Sequence, residues 1–331
     1  MDSVSRRRLV LAIAACTVAP GTARAQSPPR PRRIAYLANS TAEAGSGLRA
    51  ALVRGLEEHG WRSGRDYVLE AWWADGKLDR LPKLVAELLA WNPDLVAAPS
   101  GIAAQAVQKS GTTLPIVFAL APDPVGQGFG SSLAHPGRNM TGLTSTHDEI
   151  SAKRLELLKE TFPGIRRVAV LYYRALAPAG VAEQLAETER AARVLGLALV
   201  TEESPRVEDF ERAFAAVHAQ RPDALVVIEN PMFFSNRARL AELAAGLSVP
   251  AIFNVAEYVQ AGGLMSYGAS YADLVRRSAG YAVKVLGGVP PGNLPIERPT
   301  KFELVINAKT ARAIGVAIPQ AVLLRADRVI E

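Results

Sequence analysis

Pro99-Ser100-Gly101 stands where a short apolar run, residues 95–98, meets an alanine-rich segment of helical composition. A small hydroxyl at such a junction can cap the helix, and the glycine lets a ligand approach the first backbone amides. The chemistry on offer is recognition of an anionic or acceptor group by unpaired N–H donors, with no bond made or broken. A plain N-cap that binds nothing uses the same residues, so the rest of the chain has to decide. Asn39, Ser40 and Thr41 repeat the theme after an earlier apolar run, residues 34–38.

Other chemistries find no support. Neither a Gly-x-Gly-x-x-Gly turn after the first strand nor a phosphate loop ending in Gly-Lys-Ser/Thr is present. Gly126-Gln127-Gly128-Phe129-Gly130 is glycine-rich but falls after the fourth strand with the wrong spacing, and reads as a flexible loop. His59, His135, His147 and His218 are far apart, without metal-ligand spacing. No Gly-x-Ser-x-Gly elbow occurs. Cys16 is the only cysteine and lies in the N-terminal leader, so the processed chain has no disulfide, thiolate site or thiol nucleophile. No catalytic constellation, metal or cofactor is expected.

The elements that position Ser100 form a strand, a helix and a second strand, residues 95–98 to 116–120, with the apolar runs of parallel strands covered on both faces. Open α/β sheets bind ligands at the carboxyl ends of such strands. Strands at 34–38, 67–73 and 139–144, with helices at 47–59 and 78–91, complete one α/β lobe. After a helix at 149–160 the pattern restarts: strands at 168–172, 197–201, 224–228 and 251–254 alternate with helices at 182–195, 207–220 and 235–245. The expected fold class is α/β, two doubly wound lobes with a cleft between them. Gly262-Gly263, a strand at 264–267 and a helix at 271–286 have no partner in a finished second lobe, so the chain is expected to cross back there. Lobe 1 is then 32–144 with about 263–288, and lobe 2 is 145–262 with about 289–331, including a strand at 302–306 and a helix at 308–314. Several crossings make a hinge.

The 331 residues, 49% hydrophobic and 21% charged, suffice for two such cores. Arg6, Arg7 and Arg8, the apolar stretch 9–19 and Ala23-Arg24-Ala25 form a secretion signal with cleavage expected after Ala25. Ser5-Arg6-Arg7-Arg8-Leu9-Val10 resembles a twin-arginine signal, with general secretion as the alternative, and Ile13-Ala14-Ala15-Cys16 offers a weaker lipoprotein reading. Cleavage removes four arginines and one aspartate, three net positive charges, and the formal charge of +6 falls to +3. The remaining basic residues are interspersed with acids instead of forming a stripe, which argues against nucleic acid as a partner.

Longer runs carry a resemblance. Leu78-Asp79-Arg80-Leu81-Pro82, Asp123-Pro124-Val125-Gly126, Pro136-Gly137-Arg138-Asn139-Met140-Thr141-Gly142-Leu143, Lys153-Arg154-Leu155-Glu156-Leu157-Leu158-Lys159 and Ala261-Gly262-Gly263-Leu264-Met265-Ser266-Tyr267-Gly268 resemble the ABC-transporter substrate-binding proteins related to the tryptophan-binding TrpX group. Pro115-Ile116-Val117-Phe118 and the run from Pro299 to Asn307 fit as well, so the resemblance spans nearly all of the processed chain. It implies a periplasmic type I binding fold that closes on a small organic solute and delivers it to a membrane permease and its ATPase, as a monomer and without catalysis. By position it implies a pocket of Asn39, Ser40, Ser100, Gly101, Asp123 and Thr144 from the first lobe and Tyr173, Glu229, Asn230, Asn254 and Glu257 from the second. For an amino-acid solute, Ser40, Ser100 and nearby amides would take the carboxylate, Asp123, Glu229 or Glu257 the ammonium, and Tyr173 would stack on an apolar group. A ligand-sensing module for a membrane signalling partner would have the same lobes and is the alternative.

Overall fold

The computed structural model describes residues 30–331 except 146–149, 175–177 and 229. The segment expected to be a secretion signal therefore lies outside the described residues, as do His147 and Glu229.

Apolar runs become strands and the alanine- and leucine-rich segments between them become helices. β1 (Arg32–Ala38), α1 (Ala42–Glu58), β2 (Tyr67–Trp73), α2 (Leu81–Ala90), β3 (Leu95–Ala98), α3 (Gly101–Lys109), β4 (Ile116–Ala121) and β5 (Met140–Thr144) follow in order. Their strands make a parallel sheet of order β2-β1-β3-β4-β5. Then come α4 (Ile150–Thr161), β6 (Arg167–Tyr172), α5 (Pro178–Leu195), β7 (Ala198–Glu203), α6 (Phe210–Ala219), β8 (Ala224–Val227), α7 (Pro231–Ser235) and α8 (Arg237–Gly246). β9 (Ala251–Phe253), α9 (Ala256–Gln260), β10 (Met265–Ala269), α10 (Tyr271–Leu286), β11 (Phe302–Asn307), α11 (Ala308–Ala313), α12 (Gln320–Arg325) and β12 (Arg328–Ile330) end the chain. The second sheet runs β12-β11-β10-β9-β8-β6-β7, parallel except where β11 meets β10 antiparallel.

Alternate residues of each strand serve opposite faces. In the first lobe Ile34, Tyr36 and Ala38 face Leu52 and Leu56 of α1 and Ala279 of α10, while Ala35 and Leu37 share the other core with Leu84 and Leu88 of α2 and Val107 of α3. In the second, Ala169, Leu171 and Leu225 pack with Phe210 and Phe214 of α6, and Val168, Val170 and Val226 with Leu155 and Leu158 of α4. Both faces of both sheets are thus covered, the two-lobed α/β architecture expected from the sequence.

Two crossings come later than expected. The strand at 264–267 was expected in lobe 1, but β10 pairs with β9 (Met265↔Ile252) and β11 (Gly268↔Glu303), so it completes the second sheet. Its residues Leu264 and Met265 supply the second core, and the chain leaves only at Ser270 to begin α10. The return was expected at about 289, but Ile296 is buried in the first core and Glu297 bridges Leu143 beside β5, with Glu297 N donating to Gly142 O at 3.1 Å. In both cases a backbone that pairs with its sheet edge before departing satisfies donors that an immediate crossing would leave open. The connections between the sheets are therefore the segment after Thr144, Ser270, and the stretch from Glu297 to Phe302. α7, α9, α12 and β12 have no counterpart in the expected elements.

Candidate functional site

The carboxyl ends of β1 and β3 lie side by side because β1 pairs with β3. Asn39 and Ser40, directly after β1, are both buried. Their carbonyls accept from Gly76 N (2.7 Å) and Asp75 N (3.2 Å), which fixes the turn, and Thr41 caps α1 by accepting from Ala44 N at 3.2 Å. Ser100 caps α3, its Oγ accepting from Ala103 N at 3.2 Å and donating to Asn39 Oδ1 at 2.7 Å. Two expected pocket residues 61 positions apart thus form one polar couple at the start of a helix.

Gly101 opens α3 beneath a side chain that the sequence did not single out. A Cβ at position 101 would sit 2.9 Å from Gln127 Oε1, and that oxygen is itself buried with no hydrogen-bond partner among the described residues. Gln127 arrives through the glycine-rich loop: Asp123 Oδ1 accepts from Gly126 N (2.8 Å), Asp123 O from Gln127 N (2.9 Å), and Pro124 O from Phe129 N (2.8 Å). Asp123 is exposed and closes this turn with one carboxylate oxygen, leaving the other available. Thr144 is buried, its Oγ1 donating to Pro122 O at 3.4 Å and its N to Glu297 O at 2.9 Å, so it ties β4, β5 and the returning chain together.

In the second lobe, Asn230 follows β8 and caps α7, its Oδ1 accepting from Met232 N (2.9 Å) and Phe233 N (3.0 Å). Asn254, directly after β9, is buried and donates through Nδ2 to Tyr271 Oη at 3.4 Å. Glu257 belongs to the first turn of α9, where its carboxylate complements the helix dipole. Tyr173 is half-buried and packs on the apolar cluster shared by both lobes, while Tyr172 lies 5.5 Å beneath the Arg174 guanidinium. Around these residues runs a chain of aromatic rings: Phe234 lies 5.7 Å from Tyr271 and 6.4 Å from Tyr258, and Phe253 stacks on Tyr258 at 4.8 Å. Trp73, at the end of β2, lies 5.5 Å from Tyr36, whose hydroxyl is held protonated by burial.

The lobes also meet directly. Arg237, at the start of α8, donates to Ala44 O of α1 at 3.3 Å and to Phe234 O at 3.1 Å, with its guanidinium 5.0 Å from the Phe234 ring. Two other concavities, of about 510 and 630 Å³, lie on the second lobe around His218 and Arg221 and around Lys153, Arg190 and Tyr267; they involve none of the residues above. Among the described residues no group of three or more histidines and acids could hold a metal ion, and no helix is long and apolar enough to cross a membrane. The arrangement offers amide and hydroxyl donors at one helix start and a direct contact between the lobes.

The family described as ABC transporter substrate binding protein matches residues 40–330. The chain belongs to that family. Members bind substrates for a transporter and are not enzymes as a class. A curated relative, the tyrosine-binding protein of Clostridioides difficile, is 24% identical over 263 residues, 79% of this chain and 74% of its own. Among solved structures, a conserved domain protein from Vibrio cholerae is 26% identical with a TM-score of 0.82, covering 91% of this chain and 100% of its own. An ABC domain from Streptococcus pneumoniae in complex with L-Trp is 24% identical, with the same TM-score and coverage.

The Arg237 contact gives a first prediction. A hydrogen bond from a charged donor contributes about 1.5–3 kcal/mol, and half-exposure of the guanidinium reduces this to about 1 kcal/mol. Arg237→Ala is expected to open the free protein, increasing its radius of gyration in solution scattering, and to weaken solute binding about fivefold. Unchanged scattering and affinity would exclude a closing role for Arg237.

Proposed function

We propose that the protein is the exported receptor of an ABC importer, and that it captures an amino acid with an aromatic side chain between its lobes for delivery to a membrane permease and ATPase. The observation that carries this reading is the Asn39–Ser100 couple at the start of α3, at the carboxyl edge of the first sheet of a two-lobed fold. The first amides of a helix lack intrahelical acceptors and favour an anion, which suits the carboxylate of an amino acid. Ser40 and Ser100 contribute hydroxyls beside those amides. The ammonium is assigned to the free oxygen of Asp123, to Glu257 or to Glu229, the last of which lies outside the described residues. Tyr173 and Phe234 supply apolar surface for the side chain. A tyrosine-binding relative and an L-Trp-bound structural neighbour support the ligand class. The basic, apolar leader ending Ala23-Arg24-Ala25 supports release into the periplasm, by the general or the twin-arginine route, and delivery as a monomer completes the reading.

The test is a thermal-shift series on the processed chain from Gln26 with L-Trp, L-Tyr and L-Phe against aliphatic amino acids, dicarboxylates and nucleosides. A solute that binds only the folded state adds RT ln(1 + [L]/Kd), about 2.7 kcal/mol at a hundredfold excess over Kd. Stabilisation by aromatic amino acids above the other classes is the expected result. A shift confined to dicarboxylates or nucleosides, or none with any amino acid, would overturn the ligand assignment.

A further inference from the structure

Asn230 is only 6% exposed, and its side chain is held in one orientation by the helix it caps. Oδ1 accepts from two backbone amides, Met232 N at 2.9 Å and Phe233 N at 3.0 Å. Exchanging the amide oxygen and nitrogen would set an NH2 against two N–H groups, so the assignment of Nδ2 follows from the network. Nδ2 is therefore turned away from the α7 backbone, where it is buried and has no hydrogen-bond partner among the described residues. A buried donor left in this state carries its full desolvation cost, and native structures seldom keep one without a use.

The cap itself does not require that NH2. Aspartate accepts from the same two amides and adds a favourable charge at a helix start. Position matters as well. Asn230 follows β8 as Ser100 follows β3, each at the carboxyl edge of its sheet. Its helix lies on the side that closes toward the first lobe, since Phe234 of α7 touches Tyr271 and Arg237, just beyond α7, reaches Ala44 of α1.

We infer that the Asn230 side-chain NH2 is a specificity-determining donor of the solute site, which accepts an oxygen acceptor of the solute at that one atom and rejects an ammonium at the same position. The inference rests on the solute-capture reading above and names the polarity that reading leaves open. The acceptor is the solute carboxylate oxygen that the first lobe's donors leave free, since a hydroxyl could turn and donate to an aspartate instead. Asparagine and aspartate are nearly isosteric, so one substitution reverses the polarity of this atom and keeps the cap.

The test is calorimetric titration of L-Trp, L-Phe and L-Tyr into the wild-type processed chain and into Asn230→Asp, Asn230→Ser and Asn230→Ala. Asn230→Asp is expected to melt no lower than wild type when free of solute, and to bind at least tenfold more weakly. Asn230→Ser keeps a capping oxygen without adding charge, and is expected to weaken binding several-fold; it serves as the probe should the aspartate variant fail to fold. Asn230→Ala loses both cap and donor and is expected to melt lower than the other two. Weakening toward all three amino acids by Asn230→Asp supports the inference, whereas weakening confined to one of them would overturn the shared carboxylate as the acceptor. Wild-type affinity in Asn230→Asp and Asn230→Ser would overturn it and leave water as the partner of Nδ2. A wild-type chain that binds no amino acid would overturn the ligand reading first, and this inference with it.

Discussion

Replacing Phe129 with alanine is expected to cost about 3–5 kcal/mol of stability, the range for removing a fully buried aromatic ring. Phe129 has no solvent exposure, and its ring lies 5.1 Å from that of Phe118, itself fully buried in the middle of β4. Leu84 and Leu88 of α2, Val107 of α3 and Met140 of β5 belong to the same core. The effect extends to binding. Phe129 is the apolar anchor of the loop that closes with the Asp123–Gly126 turn and lays Gln127 over Gly101. Its loss leaves the loop tethered by Gln108 Nε2 to Gly128 O at 2.7 Å and by its own backbone bonds. Urea unfolding is expected to show the lowered midpoint, and titration of the folded fraction at low temperature a weaker solute affinity. A stability loss below about 1 kcal/mol would mean that the core collapses around the vacancy and that the loop is held by its hydrogen bonds.

The same loop shows where the sequence ceases to be legible. β3 is recovered to the residue because four apolar positions stand between an aspartate and a Pro-Ser-Gly turn, and α10 because its apolar stripe is strong and its cap is a serine. Repeated alternation of such segments makes the two-lobed fold readable, and the longer runs made the family readable. Gly126 to Gly130 has no periodicity, so nothing in it announces that Gln127 is carried to the start of α3. Asp123 illustrates a second limit. Its residue type suits an ammonium, but aspartate equally closes its own turn, and the structure shows it doing so. Arg237 shares α8 with Arg239 and Glu242, which form a solvent-exposed ion pair, and in sequence it looks like another member of that charged face. Only the placement of Ala44, 193 positions earlier, distinguishes it. The crossing points were misplaced for a related reason: Leu264 and Met265 are apolar whichever sheet they join, and the choice depends on β9 and β11 as partners.

Gly55→Ala provides the sharpest test of how α10, the helix that follows the second crossing, is seated. In an exposed helix the exchange would stabilise, since alanine gains about 1 kcal/mol over glycine in a helix interior. Gly55 faces α10 so closely that a Cβ would collide with the Arg276 carbonyl oxygen and lie 2.7 Å from Ala279 Cβ. A backbone carbonyl inside a helix cannot swing aside, so the helices must separate, and overpacking of this kind costs about 1–3 kcal/mol. The second term exceeds the first, and net destabilisation is expected, deeper for Gly55→Leu. Gly47→Ala supplies the opposite sign in the same helix, because position 47 is exposed with nothing near a Cβ, and it is expected to stabilise by up to about 1 kcal/mol. Separation of the helices also reaches the cleft. α10 begins with Tyr271, whose hydroxyl receives the Asn254 amide and whose ring packs on Phe234, so Gly55→Ala is expected to weaken solute binding although it lies in the first lobe's core. Melting temperatures of the three variants, with solute titration of the alanine pair, measure both effects. Equal stability of Gly55→Ala and Gly47→Ala would mean that the helices slide past each other at low cost, and a crossing of that kind could not hold Tyr271 in register with the second lobe.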